Sequence, residues 1–314
     1  MPSRFFAVAA AILFLGPLAA QDRPAAPRPV YHDDEDFCDK FVLALTDLAK
    51  DKKCLGPDTV TRKVSVSRRT KLSPVAPRTA ALMPEEVYEK VLPSVLVLGS
   101  VRPDEKSKTG YADGVFASAW VLTADGVLVT NWHVFDKLKS DYFGAADHTG
   151  KVYPLVDILA ADKTADVAVV KVAAEGLTPL PLASAPAKVG AWIGVLSHPG
   201  NQLFTFTQGT VTRYARNKSD DGKTERWMNV SADYAGGSSG GPVLDRFGNV
   251  VGMATLTTNI DFADDEDAKP KPPPEKEKDK GDKKDDSPAS TLQMVVKSTV
   301  PATVMRTLIE GRRK

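Results

Sequence analysis

The sequence predicts an all-β protein, folded as a barrel or a sandwich. From residue 94 onward, short apolar segments recur about every ten residues, turn residues separate them, and no helical pattern lies between consecutive strands. The last observation argues against a parallel α/β sheet, because each parallel crossover needs a long connection that is usually a helix. Closely spaced strands with turns between them are typical of antiparallel barrels and sandwiches.

Length and composition exclude several other classes of protein. The chain has 314 residues, of which 42% are hydrophobic, enough for a sizeable core. A net charge of +1 argues against nucleic-acid binding, which needs a basic excess. No apolar run reaches 18 residues, so no stable membrane span is expected. The two cysteines are too few for a disulfide-dense scaffold or a four-cysteine zinc site.

Residues 1–20 have the features of a secretory signal peptide. Arg4 precedes the apolar run 5–15, and Gly16-Pro17 breaks the run before a cleavage segment that ends at Ala20. The run is too short for a bilayer span, which needs roughly 20 residues. The sequence therefore predicts export to the periplasm or the extracellular space, with an uncleaved anchor as the alternative.

Residues 21–82 are predicted to form an N-terminal arm, which is also a candidate pro-segment. A Pro-rich stretch at 21–30 leads into a helical pattern. One face of this helix carries Phe37, Phe41, Leu45 and Leu48. Residues 50–78 hold nine Lys or Arg against two Asp, a net +7, with little apolar periodicity. That composition predicts a flexible segment, because it buries too little surface to offset the entropy of ordering.

Both cysteines lie in this arm. Export would place Cys38 and Cys54 in an oxidising compartment, where disulfides form and persist. The sequence therefore predicts a disulfide between them, and two free buried thiols are the alternative.

The main domain is expected to begin with a helix at 84–91, which has proline at its start and acids in its first turn. The predicted strands are 94–101, 117–123, 127–131, 167–172, 250–256 and 293–296, followed by a helix at 301–310. Hairpin turns are marked by Asp125-Gly126 and by residues 247–249. Between residues 261 and 286 there are eleven acids, seven lysines and four prolines, so a disordered, charged insertion is predicted at about 261–290.

Ser239 lies in a context that favours nucleophilic catalysis. The small residues of the segment 237–241 leave room for a substrate, and its glycines permit a turn that aims backbone N–H groups at an oxyanion. Gly-Ser linkers have a similar composition, and the segment also matches the nucleophile elbow of α/β-hydrolases. Those hydrolases place their histidine after the serine, which argues against that fold here. All four histidines, His32, His133, His148 and His198, precede Ser239.

His133 is the preferred base because it ends an apolar strand beside small and polar residues. Asp166 opens the apolar strand 167–172, where an unpaired carboxylate would be costly, so a hydrogen bond to the His133 Nδ1 atom is predicted. Asp157 and Asp162, in more polar surroundings, are the less favoured alternatives. A histidine with no catalytic role is the alternative for His133.

The order His133, Asp166, Ser239 is that of the chymotrypsin clan. Residues 119–134, 165–172 and 237–242 resemble the three signature segments of trypsin-like serine proteases of the bacterial HtrA/Deg type, and residues 91–95 are similar to their entry helix and first strand. The resemblance implies a protease domain over 83–314. Its expected fold is two packed six-stranded antiparallel β-barrels, with a short N-terminal helix and a C-terminal helix.

The function that the resemblance implies is that of an exported serine endopeptidase acting on protein or peptide substrates. Ser239 would be the nucleophile, His133 the base and Asp166 its orienting carboxylate, and the N–H groups of Gly237 and Ser239 would form the oxyanion hole. A trypsin-fold binding protein with a latent triad is the alternative. No cofactor, metal or nucleic-acid partner is expected, and the sequence carries no signal for the oligomeric state.

Specificity residues are also implied by the resemblance. Asp233, six residues before the serine, would lie at the base of the pocket for the P1 side chain and would suit Lys or Arg, unless it is turned away in a structural hydrogen bond. Thr255, Leu256 and Thr257 would pair with the substrate backbone. The insertion would end at the rim of this pocket and screen the cleft, with an inert loop as the alternative.

The sequence departs from the family pattern at three places. Residues 117–120 replace the usual glycine-rich entry to the strand before the histidine, and residues 234–236 replace the usual lead into the serine turn. The helical, PDZ-bearing region that usually follows such a domain is not found in this sequence. Cage-like assembly and PDZ-directed substrate choice are therefore not expected.

Overall fold

The computed structural model describes residues 31–311 except 67, 137, 220–221 and 262–291. The predicted signal peptide, the Pro-rich stretch and nearly all of the predicted insertion lie outside the described residues. The described chain is predominantly β, as the sequence predicts, with four α-helices in this part of the chain.

Two closed, six-stranded antiparallel barrels form the body of the protein, which confirms the predicted fold. The first barrel has the strand order β1-β2-β3-β6-β5-β4, and the second has the order β10-β11-β12-β9-β8-β7. The strands of the first barrel are β1 (Val95–Pro103), β2 (Tyr111–Thr123), β3 (Val127–Thr130), β4 (Tyr142–Ala146), β5 (Val152–Asp162) and β6 (Val167–Val172). Those of the second are β7 (Trp192–Ser197), β8 (Thr205–Lys218), β9 (Thr224–Val230), β10 (Pro242–Leu244), β11 (Val250–Asp261) and β12 (Leu292–Pro301).

The seam between the barrels holds a hydrophobic cluster to which both barrels contribute. Trp120 and Val167 enter it from the first barrel, and Leu244 and Met253 enter it from the second. Strands β3 and β6 are almost fully buried, which explains why their sequences are continuous apolar runs without polar alternation. This packing fixes the ends of β3, β6 and β10 relative to one another.

The helices have clear start signals. Helix α3 (Pro84–Val91) begins at the predicted proline, and the Glu86 carboxylate accepts a hydrogen bond from the Met83 N–H at 2.7 Å. Helix α4 (Ala302–Ile309) follows β12 and buries Met305, Leu308 and Ile309. Both helices agree with their predicted positions.

The N-terminal arm also begins with the predicted helix. Helix α1 (Asp34–Lys50) is capped by the Asp33 carboxylate, which accepts the Asp36 N–H at 3.0 Å. Its apolar face buries Phe41 and Leu45.

The prediction that residues 50–78 are flexible is wrong. Helix α2 (Pro57–Val64) buries Val60 and Val64, which lie one turn apart. Beyond it, the N–H groups of Thr70 and Leu72 donate to the Leu308 and Ile309 carbonyls, both at 2.9 Å. The last carbonyls of a helix lack partners within that helix. Docking against the end of α4 therefore orders a segment that has few apolar side chains.

The predicted disulfide is not formed, because both cysteines are free thiols. Cys38 lies near the start of α1, whereas Cys54 lies beyond its end, where the neighbouring Lys53 N–H donates to the Leu48 carbonyl. The ten residues of helix from 38 to 48 rise about 15 Å, and a disulfide requires Cα atoms within about 7 Å. Burial raises the pKa of Cys54 to about 11, so this thiol is also poorly reactive.

Candidate active site

The structure brings together the three residues that the sequence selects. His133 lies in a short 3₁₀ turn after β3, Asp166 lies in the turn before β6, and Ser239 lies in the turn before β10. The His133 Nε2 atom is 2.9 Å from Ser239 Oγ, and its Nδ1 atom is 2.9 Å and 3.0 Å from the two Asp166 carboxylate oxygens. This arrangement is that of a nucleophile, a base and an orienting carboxylate.

The Asp166 side chain is held by several donors. The His133 backbone N–H donates to Oδ1 at 3.0 Å, and the Thr255 hydroxyl donates to Oδ2 at 2.5 Å. The Asn131 side-chain amide donates to the Asp166 backbone carbonyl at 2.9 Å. Asp166 has a φ of +52°, a conformation that aspartate tolerates better than most residues.

The alternative carboxylates have other partners. Asp157 pairs with Lys63 of helix α2, and the Asp162 carboxylate accepts the Ala165 N–H at 3.0 Å. Both therefore act in local structure, and Asp166 is the carboxylate that faces His133.

The His133 imidazole is more basic than a free histidine. Burial is the largest single influence and lowers its pKa. The hydrogen bond to Asp166 and the charges of Asp166 and Asp136 together outweigh burial, so the pKa of His133 is raised above its ordinary value. The ring can therefore take the Ser239 proton, and the cation that results is stabilised.

The turn around Ser239 is held against the first barrel. The Ser118 N–H of β2 donates to the Ser239 carbonyl at 2.8 Å, and the Ser118 hydroxyl donates to the Gly237 carbonyl at 3.0 Å. In the sequence, residues 117–120 stand out only as a departure from the family pattern. Recognising Ser118 as a support for the nucleophile would have required the pairing of the two barrels.

The predicted oxyanion-hole donors, Gly237 and Ser239, both lie in this turn. The Gly236 carbonyl accepts the Gly200 N–H at 2.7 Å, and because the peptide is trans, the Gly237 N–H points to the opposite side. Within the described part of the chain, neither the Gly237 N–H nor the Ser239 N–H donates to a protein acceptor. Both donors are thus available to a bound group.

His198 lies against the turn that carries Gly237 and Ser239 and supports it, a role that the sequence did not reveal. Its ring is fully buried, its Nδ1 atom accepts the Phe204 N–H at 2.9 Å, and it packs edge-on against the Phe204 ring. A Cβ atom on Gly237 would lie 2.3 Å from the His198 carbonyl, so the two backbones are in close contact. Burial lowers the pKa of His198 to about 4, although a contact with the Leu96 backbone opposes this shift.

His198 is expected to make the fold sensitive to acid. Its pKa is about 4 in the folded state and about 6.5 in the unfolded chain, so its contribution to stability is complete above pH 6.5 and is lost as the pH falls towards 4. The loss is about 3 kcal/mol. In His198→Asn, whose amide oxygen can accept the Phe204 N–H, urea unfolding at pH 4.5 and 7 should show a smaller difference in free energy than in the wild type. His148→Asn, at an exposed position, is the control. Equal pH dependence in wild type and His198→Asn would contradict this role.

The prediction that Asp233 forms the base of a P1 pocket is corrected by the structure. Its side chain is 92% exposed, 3.9 Å from the Lys297 ammonium, and its backbone carbonyl accepts the Thr207 hydroxyl. Alternation along the chain buries Tyr234 and turns Asp233 outward.

The three residues predicted to pair with substrate lie on β11, next to the triad. Thr255 is buried with its hydroxyl on Asp166, whereas Leu256 and Thr257 are exposed. Beyond Ala254, no described strand pairs with the edge of β11 that faces Ser239. An extended peptide can therefore add to this edge.

The described residues contain neither a metal-binding cluster nor a helix suited to span a membrane. No group of three or more His, Cys, Asp or Glu side chains in this part of the chain is arranged to hold a metal ion. None of its helices is both long and apolar enough for a membrane span.

Comparison with known proteins agrees with this geometry. Residues 117–253 match the family model of the trypsin-like peptidase domain, a region that includes all three triad residues. A probable periplasmic DegP-like serine endoprotease of Chlamydia pneumoniae is 28% identical over 154 residues, which cover 49% of this chain and 31% of the relative. The chloroplastic protease Do-like 5 of Arabidopsis thaliana is 30% identical over 194 residues, 54% of this chain and 59% of the relative.

A mammalian protein shows the same level of similarity. The mitochondrial serine protease HTRA2 of Bos taurus is 30% identical over 200 residues, 60% of this chain and 42% of the relative. The chain thus spans less than two thirds of the length of each of these three relatives. Residues 117–253 are therefore similar to a trypsin-like peptidase domain, and the chain resembles serine proteases named DegP-like, Do-like and HTRA2.

Proposed function

We propose that this protein is an exported serine endopeptidase that hydrolyses peptide bonds through an acyl-enzyme. The observation that carries the proposal is the chain of hydrogen bonds from Asp166 through His133 to Ser239, with distances of 2.9–3.0 Å. Similarity to serine endoproteases supports the same reaction class. Export rests on the N-terminal segment 1–20 and on the periplasmic location named for the chlamydial relative.

Each residue has a defined part in the reaction. Ser239 Oγ attacks the peptide carbonyl while His133 Nε2 takes its proton, and His133 then returns the proton to the leaving amine. Asp166 keeps the Nδ1 proton in place and stabilises the imidazolium. The N–H groups of Gly237 and Ser239 stabilise the oxyanion, and losing one such donor costs on the order of 10²-fold in rate. Water then hydrolyses the acyl-enzyme by the same proton transfers.

The substrate is an extended segment of a protein or peptide. Its backbone adds to the free edge of β11 at Thr255–Thr257, which places the scissile carbonyl at Ser239. Charged residues of the insertion 261–290 follow this edge directly in the chain.

Labelling by a fluorophosphonate at different pH values tests the proposal. The reagent should modify Ser239 alone, and the rate should rise between pH 5 and 8 with a midpoint above 6.5, because the raised pKa of His133 keeps the base protonated at lower pH. Peptide mapping by mass spectrometry identifies the modified residue. Ser239→Ala should not be labelled, whereas Ser107→Ala, at a serine remote from the triad, should react like the wild type. No labelling at any pH would instead favour a trypsin-fold binding protein with a latent triad.

A further inference from the structure

A lysine that the catalytic proposal does not use lies beside the segment that leads to Ser239. Lys297 is on β12, and its side chain is only 11% exposed. Its ammonium donates a hydrogen bond to the Tyr234 carbonyl at 2.5 Å and lies 5.4 Å from the centre of the Tyr234 ring. Lysine side chains are seldom buried to this degree without a specific partner.

Strand register places Lys297 opposite the substrate-binding edge. Lys297 pairs with Thr257, two residues beyond Thr255, whose hydroxyl contacts Asp166. Tyr234 lies five residues before Ser239. The ammonium therefore links two walls, one formed by β11 and β12 and the other by the segment that ends at the nucleophile.

A substrate that follows this edge must place one side chain between these two walls. Its scissile carbonyl lies at Ser239, and its backbone runs beside residues 255–257. Successive side chains of an extended peptide point to opposite faces, so the P1 side chain enters between the walls, whereas the next one points away. The Lys297 ammonium belongs to one of these walls and contacts the other through the Tyr234 carbonyl.

The charge of Lys297 is only weakly compensated. An ammonium group has three N–H donors, and the Tyr234 carbonyl takes one of them. The carboxylate paired with it in the described part of the chain is that of Asp233, 3.9 Å away and 92% exposed. Solvent screens so exposed a partner, and such pairs contribute little. Among the described residues, Lys297 thus keeps a positive charge and N–H donors without a protein acceptor, and its side chain is only 11% exposed.

We propose that Lys297 determines specificity and selects Glu or Asp as the P1 residue; this inference rests on the proposed peptidase function. A P1 carboxylate can accept charge-assisted hydrogen bonds from the unused donors of the ammonium. A P1 Lys or Arg would bring a like charge against it, which disfavours basic substrates. This selectivity is opposite to the one that Asp233 suggested from the sequence, because the Lys297 side chain lies largely within the wall whereas that of Asp233 is in solvent.

Binding to an inactive variant tests the pocket without catalysis. Fluorescent peptides that differ only in Glu, Gln or Lys at P1 are titrated against Ser239→Ala by fluorescence anisotropy. We expect the Glu peptide to bind at least tenfold more tightly than the Gln peptide, since a hydrogen bond to a charged group contributes about 1.5–3 kcal/mol. The combination with Lys297→Gln, which keeps a donor for the Tyr234 carbonyl and removes the charge, should abolish this difference.

A matched control exists in the first barrel. Lys151 also lies over a tyrosine ring, that of Tyr153, at 5.1 Å, but it is exposed and remote from Ser239. Adding Lys151→Gln to Ser239→Ala should leave the preference for the Glu peptide unchanged.

Hydrolysis and labelling separate the two proposals. In the active protein, kcat/KM should favour P1 Glu over P1 Lys, and Lys297→Glu should reverse this order while Ser239 remains reactive with the fluorophosphonate. If Ser239 is labelled but the P1 preference is the same with and without Lys297, the role of Lys297 is disproved. If the Glu peptide binds selectively through Lys297 but Ser239 is never labelled, the role of Lys297 in recognising a P1 carboxylate is supported and the peptidase proposal is disproved.

Discussion

Replacing Asp166 with asparagine is expected to lower kcat for peptide hydrolysis by about 10⁴-fold while the fold is kept. The introduced asparagine can be held in place at both positions, because its oxygen at the Oδ1 position still accepts from the His133 backbone N–H and its amide nitrogen at the Oδ2 position can donate to the Thr255 hydroxyl. Its amide N–H₂ then faces His133 Nδ1 as a donor and forces the imidazole proton onto Nε2. In that tautomer Nε2 cannot take the proton of Ser239. Steady-state hydrolysis of a peptide substrate measures the loss.

Asp157→Asn is the matched control for this variant. Asp157 lies nearby in the sequence and was an alternative for the triad, but it pairs with Lys63 on the surface of the first barrel. Its kcat should stay within about twofold of the wild type, because surface ion pairs contribute ~0–1 kcal/mol and this one does not touch His133. A variant Asp166→Asn that retains a tenth or more of the wild-type kcat would show that His133 does not depend on this carboxylate.

Replacing Gly240 with alanine is expected to abolish Ser239 reactivity and to destabilise the fold by at least ~3 kcal/mol. Gly240 has a φ of +91°, which a residue with a Cβ atom adopts only with strain. The added Cβ would lie 1.9 Å from the Ser118 carbonyl and 2.4 Å from the Thr130 hydroxyl, both in the first barrel. The turn must therefore move away from β2 and lose the bond between Ser118 and the Ser239 carbonyl. Thermal unfolding and fluorophosphonate labelling measure the two effects.

Gly236→Ala is the control for stability in the same turn. No heavy atom lies within 4 Å of a Cβ atom built there, and its φ is not positive. Its free energy of unfolding should change by no more than ~0.5 kcal/mol. A melting temperature of Gly240→Ala equal to that of Gly236→Ala would contradict the close approach of the two barrels at this turn.

Much of the fold can be predicted because its signals are local. The buried strands β3 and β6 are apolar runs of the length of a strand, and the proline and acids at residues 84–86 mark the start of α3. The ordered segment after α1 could not be predicted in this way. Its backbone hydrogen bonds go to carbonyls at the end of α4, more than 230 residues away in the chain. Composition and periodicity carry no information about such partners.

The sequence alone determined the chemistry of the candidate site. Chain order and local context selected His133, Asp166 and Ser239, and the structure brings their side chains within hydrogen-bonding distance. These residues could be selected from the sequence because each choice depends on immediate neighbours: an apolar strand end, the start of a buried strand and a glycine turn.

Tertiary structure alone decided which charges and thiols face one another. The length of helix α1 separates Cys38 from Cys54, and the pairing of β11 with β12 brings Lys297 to the wall beside Tyr234, while Asp233 faces solvent. The physical reason is that the side chains on a strand alternate between faces. A difference of one residue in position or register therefore decides whether a charge lies in the cleft or in water.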